Sequence, residues 1–465
     1  MSSEKKTDGR KKIKKFLLLI PAAFLCIFFI FAGEFYSIKK RTENPQTPQK
    51  LSTEEQEELV QLLDRYYPQR NALLKKADYT LPSFTDEVAA QSAVLADFKT
   101  GTILYSKNPD LLIPPASMTK LVEMYVILEE TEKGNISLDS IVPLPPECWA
   151  VNMPRDASLM FLAEGQKVTL KELLLGLAVA SGNDASIAAA DFVAGNMDEF
   201  VYRMNSVIRK LGLKETHFVE SSGYSEENIT TAQEFTSFAR VYLQKFPFSI
   251  KDFHSQKMIA YPQEKNLPDY QKDSSKSQPV VQYNTNKLLN ELEGCDGLKT
   301  GFITESGYNL ALTAERNGRR LISVTMGGPG KGSAEGNFYR IKDGKALMEY
   351  GFSNFYNYVQ QEDHVYTVPV PASPVQEVNL IPAFKEEFVF PVSARENLTI
   401  EKNIPYLIEG SVIKGEAYGS IIYKSGGKLL KEVPLVSDRN AEEKGIFRKA
   451  AAFILARKSG KTSRQ

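Results

Sequence analysis

The sequence predicts an α/β (α+β) protein: one sizeable domain with a helical middle inside a sheet built from both of its ends, a small all-β domain after it, and a membrane span before it. Three observations carry this. Residues 92–105 alternate apolar and polar about the turn residue Gly101, and strand-like runs return only at 297–303, 308–315 and 320–327. Helical periodicity fills the space between, at 118–129, 170–182, 185–195, 198–211 and 231–246. From His364 to Val436 the pattern changes to short β-like pieces at 365–370, 388–392, 398–400, 419–423 and 429–436, cut by Pro and Gly. The division that follows is 1–33, 34–86, 87–358, 363–437 and 440–465.

At the N-terminus, Lys5, Lys6, Arg10, Lys11, Lys12, Lys14 and Lys15 precede an apolar run from Phe16 to Gly33, interrupted only by Pro21. Its length suits a bilayer, and positive charge ahead of it predicts a cytoplasmic N-terminus with the remainder exported. Ile30-Phe31-Ala32 lacks a small residue two positions before Ala32, and Phe24-Leu25-Cys26 is a poor lipoprotein box, so a retained anchor is preferred to a cleaved signal peptide. Residues 34–86 read as a spacer with one helix, opened by the capping box Ser52-Thr53-Glu54-Glu55 and ended near Pro68. At the other end Ile446, Phe447, Ala450, Phe453 and Ile454 form a helical stripe flanked by Arg448, Lys449, Arg457 and Lys458. That pattern suits an anionic membrane surface.

Lys plus Arg and Asp plus Glu balance at 57 each, so no basic field argues for a nucleic-acid partner. Of the three cysteines Cys26 lies in the span; Cys148 and Cys295 leave an exported disulfide and two buried thiols both open. With His217, His254 and His364 the only histidines and no Cys pair at ligand spacing, a zinc site or a Ser-His-Asp triad has little material. No metal or cofactor is expected, and a serine nucleophile must be activated by something other than His.

Three short motifs supply that chemistry in one chain order: Ser117-Met118-Thr119-Lys120, Ser181-Gly182-Asn183 and Lys299-Thr300-Gly301. Each alone is weak, since Ser-x-x-Lys also occurs at Ser2, Ser3, Ser37 and Ser425, and a second Lys-Thr-Gly at Lys99 reads as hairpin-turn residues. Ser117 opens the helical run after Pro114-Pro115. Residues three apart on a helix share a face, so Lys120 lies beside Ser117 and can take its hydroxyl proton. Lysine does this only when neutral, a state favoured by a desolvated pocket, by Lys299 as a second cation and by the helix N-terminus. Ser181 can relay a proton to a departing amine, and Asn183 can grip a substrate amide. On a strand, Lys299 supplies charge, Thr300 a hydroxyl, and Gly301 room for a substrate backbone; together they suit a ligand ending in a carboxylate. Arg340 is a candidate second cation there.

The chain resembles the D-alanyl-D-alanine carboxypeptidases, low-molecular-mass penicillin-binding proteins of the serine peptidase type with an added C-terminal β domain. The likeness rests on Pro114-Pro-Ala-Ser-Met-Thr-Lys120, Leu159-Met-Phe-Leu162, Ala180-Ser-Gly-Asn-Asp-Ala185, Gly297-Leu-Lys-Thr-Gly-Phe302, Gly307-Tyr-Asn-Leu310 and Arg340 ten residues before Tyr350-Gly-Phe352, and spans roughly 90–455. It implies the penicillin-binding and serine β-lactamase-like transpeptidase fold. It also implies that Ser117 attacks the bond between two terminal D-alanines of a peptidoglycan stem peptide, with Lys120 as base, and that the acyl-enzyme is hydrolysed. The oxyanion would rest on the backbone N–H groups of Ser117 and Phe302. Lys299, Thr300 and Arg340 would hold the terminal carboxylate, and β-lactams would acylate Ser117. The partners implied are the stem peptide, β-lactams and the cell membrane, with the catalytic domain on its extracytoplasmic side. Phe302 stands where a smaller or polar residue is expected.

Rival readings remain. A class A β-lactamase would carry a Glu-x-x-Leu-Asn segment between the second and third motifs, which this chain lacks. A D,D-endopeptidase uses the same machinery. A non-catalytic receptor for β-lactams or stem peptides would need a cytoplasmic signalling domain that the short basic N-terminus does not supply, and a purely structural envelope protein would have no use for the polar set. The third residue of the stem peptide and the oligomeric state are not legible.

Overall fold

The computed structural model describes residues 4–272, 278–359, 365–384 and 387–459, with the backbone alone for 4–20, 22, 458 and 459. It divides into two compact units, one made of 72–358 with 388–393, the other of the remainder.

In the larger unit the segments read as strands from both ends meet in one six-stranded sheet. Its order is Lys75–Lys76, Thr102–Lys107, Ser92–Asp97, Arg319–Gly328, Gly307–Arg316, Cys295–Ile303. Ser323 pairs with both Leu95 and Leu312, and Leu312 pairs on to Leu298. Both faces are covered, which is why 92–97 is buried at every position. Val94, Ile322 and Val324 enter a core shared with the helices of the middle. Leu95, Leu312 and Leu321 point to the opposite core with Leu347 and Met348 of the Ser333–Asn354 helix. The extra Lys-Thr-Gly at Lys99 forms the hairpin turn, with Asp97 Oδ1 accepting from Thr100 N and Oγ1 at 2.8 Å each.

The helical middle appears with altered ends. Helices Met197–Lys210 and Ala232–Lys245 are capped by Asn196 and Thr231, whose side chains accept from the N3 amides. The run at 170–182 is a short helix, Leu170–Leu175, continued by a wider turn, Gly176–Ala180, and stopped by Ser181 in the left-handed region at φ 60°. The next helix starts at Asn183, two residues before the expected boundary. Ser117 lies not in the α-helix but in a tighter 3-10 turn, Ala116–Thr119, that leads into the Lys120–Glu132 helix. The Pro114-Pro115 entry and the left-handed Ala116 (φ 49°) keep this segment from joining the helix.

In the smaller unit a five-stranded sheet runs Tyr366–Val370, Gln376–Pro382, Lys428–Ser437, Ala417–Ser425, Leu398–Asn403. The strand expected at 388–392 is not part of it. Glu387–Pro391 pairs with Phe355–Val359, and Val389 and Phe390 bury in the larger unit, where Tyr79 Oη donates to Val389 O at 2.8 Å. An aromatic strand finds more apolar surface there. The stretch read as a spacer holds its capping box and helix, Thr53–Tyr66, and that helix packs on the sheet: Leu59 and Leu63 bury against Ala383 and Val436, and Lys414 Nζ reaches Glu58 Oε2 at 2.5 Å.

The N-terminal basic cluster and part of the apolar run fall where side chains lie outside the described residues. A helix spans Glu4–Glu43, and among the described residues none is long and apolar enough to cross a membrane. The C-terminal helix Ile446–Ser459 buries a face beside its stripe. Ala451 and Leu455 bury with Ile38 and Leu407, Phe447 meets Phe31 with ring centroids 6.3 Å apart, and Arg448 pairs with Glu34 at 3.5 Å. Of the stripe, Ile446, Ala450, Phe453 and Ile454 stay exposed, and the Lys458 side chain lies outside the described residues. Cys148 and Cys295 are free thiols, the first buried and the second partly so.

Candidate active site

The three motifs converge at the edge of the six-stranded sheet. Ser117 is half-buried on its turn, and Lys120, the first residue of the following helix, is fully buried. Lys120 Nζ donates to Ser117 Oγ at 3.2 Å, to Asn183 Oδ1 at 2.7 Å and to Ser222 O at 2.5 Å. Asn183 therefore touches the lysine of the first motif. Ser181 meets the third: Lys299 Nζ donates to Ser181 Oγ at 2.9 Å and to Thr300 O at 3.0 Å. Thr300 Oγ1 donates to Thr285 Oγ1 at 2.7 Å. Ala116 and Ser181, both left-handed without being glycine, mark backbone strain beside two of the motifs.

Burial lowers the Lys120 ammonium to about 8, against Glu123, Glu220 and Asp184, whose charges favour its protonated form. These carboxylates were not anticipated. Lys299 is held well below the usual lysine range, first by burial and then by repulsion from Lys120 and Arg340. Repulsion between the two lysines is thus expressed at Lys299.

Gly301 is required for a reason other than substrate approach. A Cβ there would stand 2.4 Å from Pro115 O and 3.2 Å from the Ala116 Cβ, so the strand presses directly on the turn that carries Ser117. Arg340 lies half-buried against this same strand. Nε donates to Asn309 O at 3.1 Å, Nη1 to Asn337 Oδ1 at 3.0 Å and Nη2 to Gly301 O, and the guanidinium lies 4.8 Å above the Tyr308 ring. Burial pulls it down to about 10. Phe302 is exposed, with its ring stacked on Tyr308 at 4.3 Å. A cleft of about 600 Å³ opens over Ser117, lined also by Asn183, Phe302, Tyr224, Asp156 and Glu305.

The sequence matches the family model described as D-alanyl-D-alanine carboxypeptidase over residues 78–330, more than half of the chain. The chain belongs to the D-alanyl-D-alanine carboxypeptidase family. A second model, described as penicillin-binding protein 5, C-terminal domain, matches residues 356–443. Family relatives include the D-alanyl-D-alanine carboxypeptidase DacA of Haemophilus influenzae, 31% identical with 78% of this chain and 88% of the relative covered. DacF of Bacillus subtilis is 30% identical, with 78% and 89% covered. The crystal structure of penicillin binding protein 5 from Haemophilus influenzae superposes with a TM-score of 0.65 at 27% identity, covering 78% of this chain and all of that one.

Several residues that organise this family site escaped the motif reading. Asp184 Oδ1 accepts from Met160 N at 2.8 Å and Ala185 N at 2.9 Å, and Oδ2 from Phe161 N at 2.8 Å and Leu162 N at 3.0 Å. It ties together two stretches that carried the resemblance. Burial raises its carboxyl pKa, against the lowering effect of those amides. Glu220 similarly gathers Ser222 N, Ser222 Oγ and Gly223 N at 2.6–2.7 Å, which fixes the carbonyl that faces Lys120. An acid directly after Ser-Gly-Asn at a helix start was the one available signal for Asp184. Glu220 had none, because its partners depend on a loop closing.

Proposed function

We propose that the chain is a serine-type carboxypeptidase that removes the terminal D-alanine from peptidoglycan stem pentapeptides through an acyl-enzyme on Ser117, and that β-lactams acylate the same hydroxyl. The observation that carries this reading is the 3.2 Å contact between Ser117 Oγ and a buried Lys120 whose ammonium is lowered to about 8. Neutral Lys120 takes the Ser117 proton as Oγ bonds to the scissile carbonyl carbon. The backbone N–H groups of Ser117 and Phe302 receive the oxyanion. The departing D-alanine nitrogen takes a proton through Ser181 as the C–N bond breaks, and Asn183 holds the peptide. Lys299, Thr300 and Gly301 face the terminal carboxylate, with Arg340 bracing the strand that carries them. Water, deprotonated by Lys120, then cleaves the ester. D-Alanine release from a stem pentapeptide by the full-length protein in detergent, beside Ser117→Ala, tests this. Release that falls at least about a thousandfold in the variant supports it, equal release overturns it, and cleavage confined to cross-linked dimers replaces it with the endopeptidase reading.

We infer as well that the chain is anchored in the cell membrane by its N-terminal helix, with the catalytic unit on the extracytoplasmic side. The basic cluster before the apolar run supports this, as do the exposed Phe24, Leu25, Phe28 and Phe29 of that helix. Protease added outside spheroplasts is expected to degrade the catalytic unit. Protection from it would overturn the placement.

A further inference from the structure

The Lys120–Glu132 helix carries a second ionisable group that the reaction above does not use. Glu123 lies three residues after Lys120 on the same helical face and is fully buried. Among the described residues neither of its carboxylate oxygens has a hydrogen-bond partner of normal geometry. An unpartnered buried carboxylate is costly, so such a group tends to keep its proton. It sits directly behind the base.

The groups that face it are few. Lys120 precedes it on its own helix. From the Asn183–Ala194 helix comes the Ser186 hydroxyl, which stabilises the ionised form and is itself paired with Ser221 Oγ at 2.7 Å. From the loop before Ser222 comes Glu220, whose like charge favours the neutral form. Asp184 acts on Lys120 from the start of the Asn183–Ala194 helix, and Lys299 repels Lys120 from the sheet. Lys120 spends its three hydrogen bonds on Ser117, Asn183 and Ser222, so Glu123 reaches it through charge and not through a shared proton.

We propose that Glu123 is a positioning residue that sets the protonation of Lys120: its neutral carboxyl leaves Lys120 able to become the free base, and its carboxylate holds Lys120 as the ammonium and slows acylation. This rests on Lys120 being the base for Ser117. Burial raises the Glu123 carboxyl to about 8, where Lys120 also titrates, so the two lose protons to solvent as a pair. When the pair has lost one proton, two arrangements compete, and only neutral Lys120 beside neutral Glu123 is reactive. Glutamine at 123 abolishes the unreactive arrangement.

The test is the rate of acylation of Ser117 by a fluorescent penicillin, measured on the full-length protein in detergent from about pH 5.5 to 9. Glu123→Gln is expected to leave the foot of the acid limb in place, where Glu123 is already neutral, and to raise acylation from about pH 7 upward, where the wild type loses part of the pair to the carboxylate–ammonium arrangement. That gives profiles that coincide below about pH 6.5 and acylation about two- to threefold faster than wild type at about pH 8–9. Glu123→Asp, which restores the charge, is expected to return the upper part of the profile towards wild type. A Glu123→Gln profile that superimposes on the wild type overturns the proposal. Absence of acylation in the wild type at every pH would instead overturn the functional reading beneath it. If the variants do not fold, infrared titration of wild-type protein labelled at glutamate decides. A neutral-carboxyl band persisting at about pH 7 supports the proposal, and loss of all such bands with the ordinary carboxyls below about pH 5 overturns it.

Discussion

Asp184→Asn probes the link that holds the second motif in place. The wild-type carboxylate accepts four backbone N–H groups, two at each oxygen. Asparagine keeps one acceptor oxygen, for Met160 and Ala185, and turns an NH₂ towards the Phe161 and Leu162 amides. One buried and one part-buried donor then lose their acceptor, at about 1–3 kcal/mol each, or about 4 kcal/mol in total. Against a typical stability of about 5–15 kcal/mol this is a large loss, and at about 2–4 °C per kcal/mol it corresponds to a Tm lower by about 8–16 °C. Function suffers separately. Asn183 N donates to Ser158 O at 2.7 Å, so loosening 158–162 releases the residue whose Oδ1 meets Lys120. Calorimetry gives the first effect, and stopped-flow acylation by a fluorescent penicillin, below the variant's transition, gives the second. A fall in acylation of more than about tenfold is expected. A variant that melts within about 3 °C of wild type and is acylated at the wild-type rate would refute the reasoning.

Other outcomes follow from the same contacts. Gly301→Ala places a methyl 2.4 Å from Pro115 O and must displace the Ser117 turn, so acylation should drop at least about tenfold while far-ultraviolet dichroism stays native. With the Glu123 carboxyl raised from 4.5 to about 8, the folded state binds more protons than the unfolded chain between those values, and this contribution to stability falls as pH rises through that window. Lys120, lowered from 10.5 to about 8, has the opposite sign above pH 8, where the folded state binds fewer protons and stability recovers. Melting curves of wild type and Glu123→Gln should therefore diverge between about pH 5 and 8, and parallel curves would count against the assignment. Cys148 and Cys295 should both be found as thiols by intact mass, with Cys148, its thiol pushed up to about 12, resisting iodoacetamide until the protein is unfolded.

Much of the site was legible because its side chains act through short-range rules. Ser117 and Lys120 are three residues apart, and a helical turn of either kind brings them together. Sheet pattern, caps and turn glycines likewise depend on neighbours, so the strands at 297–303, 308–315 and 320–327 and the Ser52 capping box are present as read. The misreadings fall where a segment has two partners of similar quality. Residues 388–392 have strand character in either unit, and only the larger apolar core near Tyr79 selects between them. On the C-terminal helix the face that packs against Glu4–Glu43 is Ala451 and Leu455, beside the stripe that was read, and only the whole chain supplies its partner.

The sequence by itself determined the reaction class and the three motifs that the fold brings together, since residue type and local spacing suffice for these. Tertiary structure alone decided that Asn183 touches Lys120 while Ser181 touches Lys299, that Gly301 makes room for the Ser117 turn, and that Arg340 braces a strand. It also decided that Glu123, an unremarkable helical residue in the sequence, is buried one helical turn from Lys120 with no hydrogen bond of normal geometry among the described residues. Burial sets the charge on both lysines, and burial is a property of the whole packed chain, assembled from segments nearly two hundred residues apart.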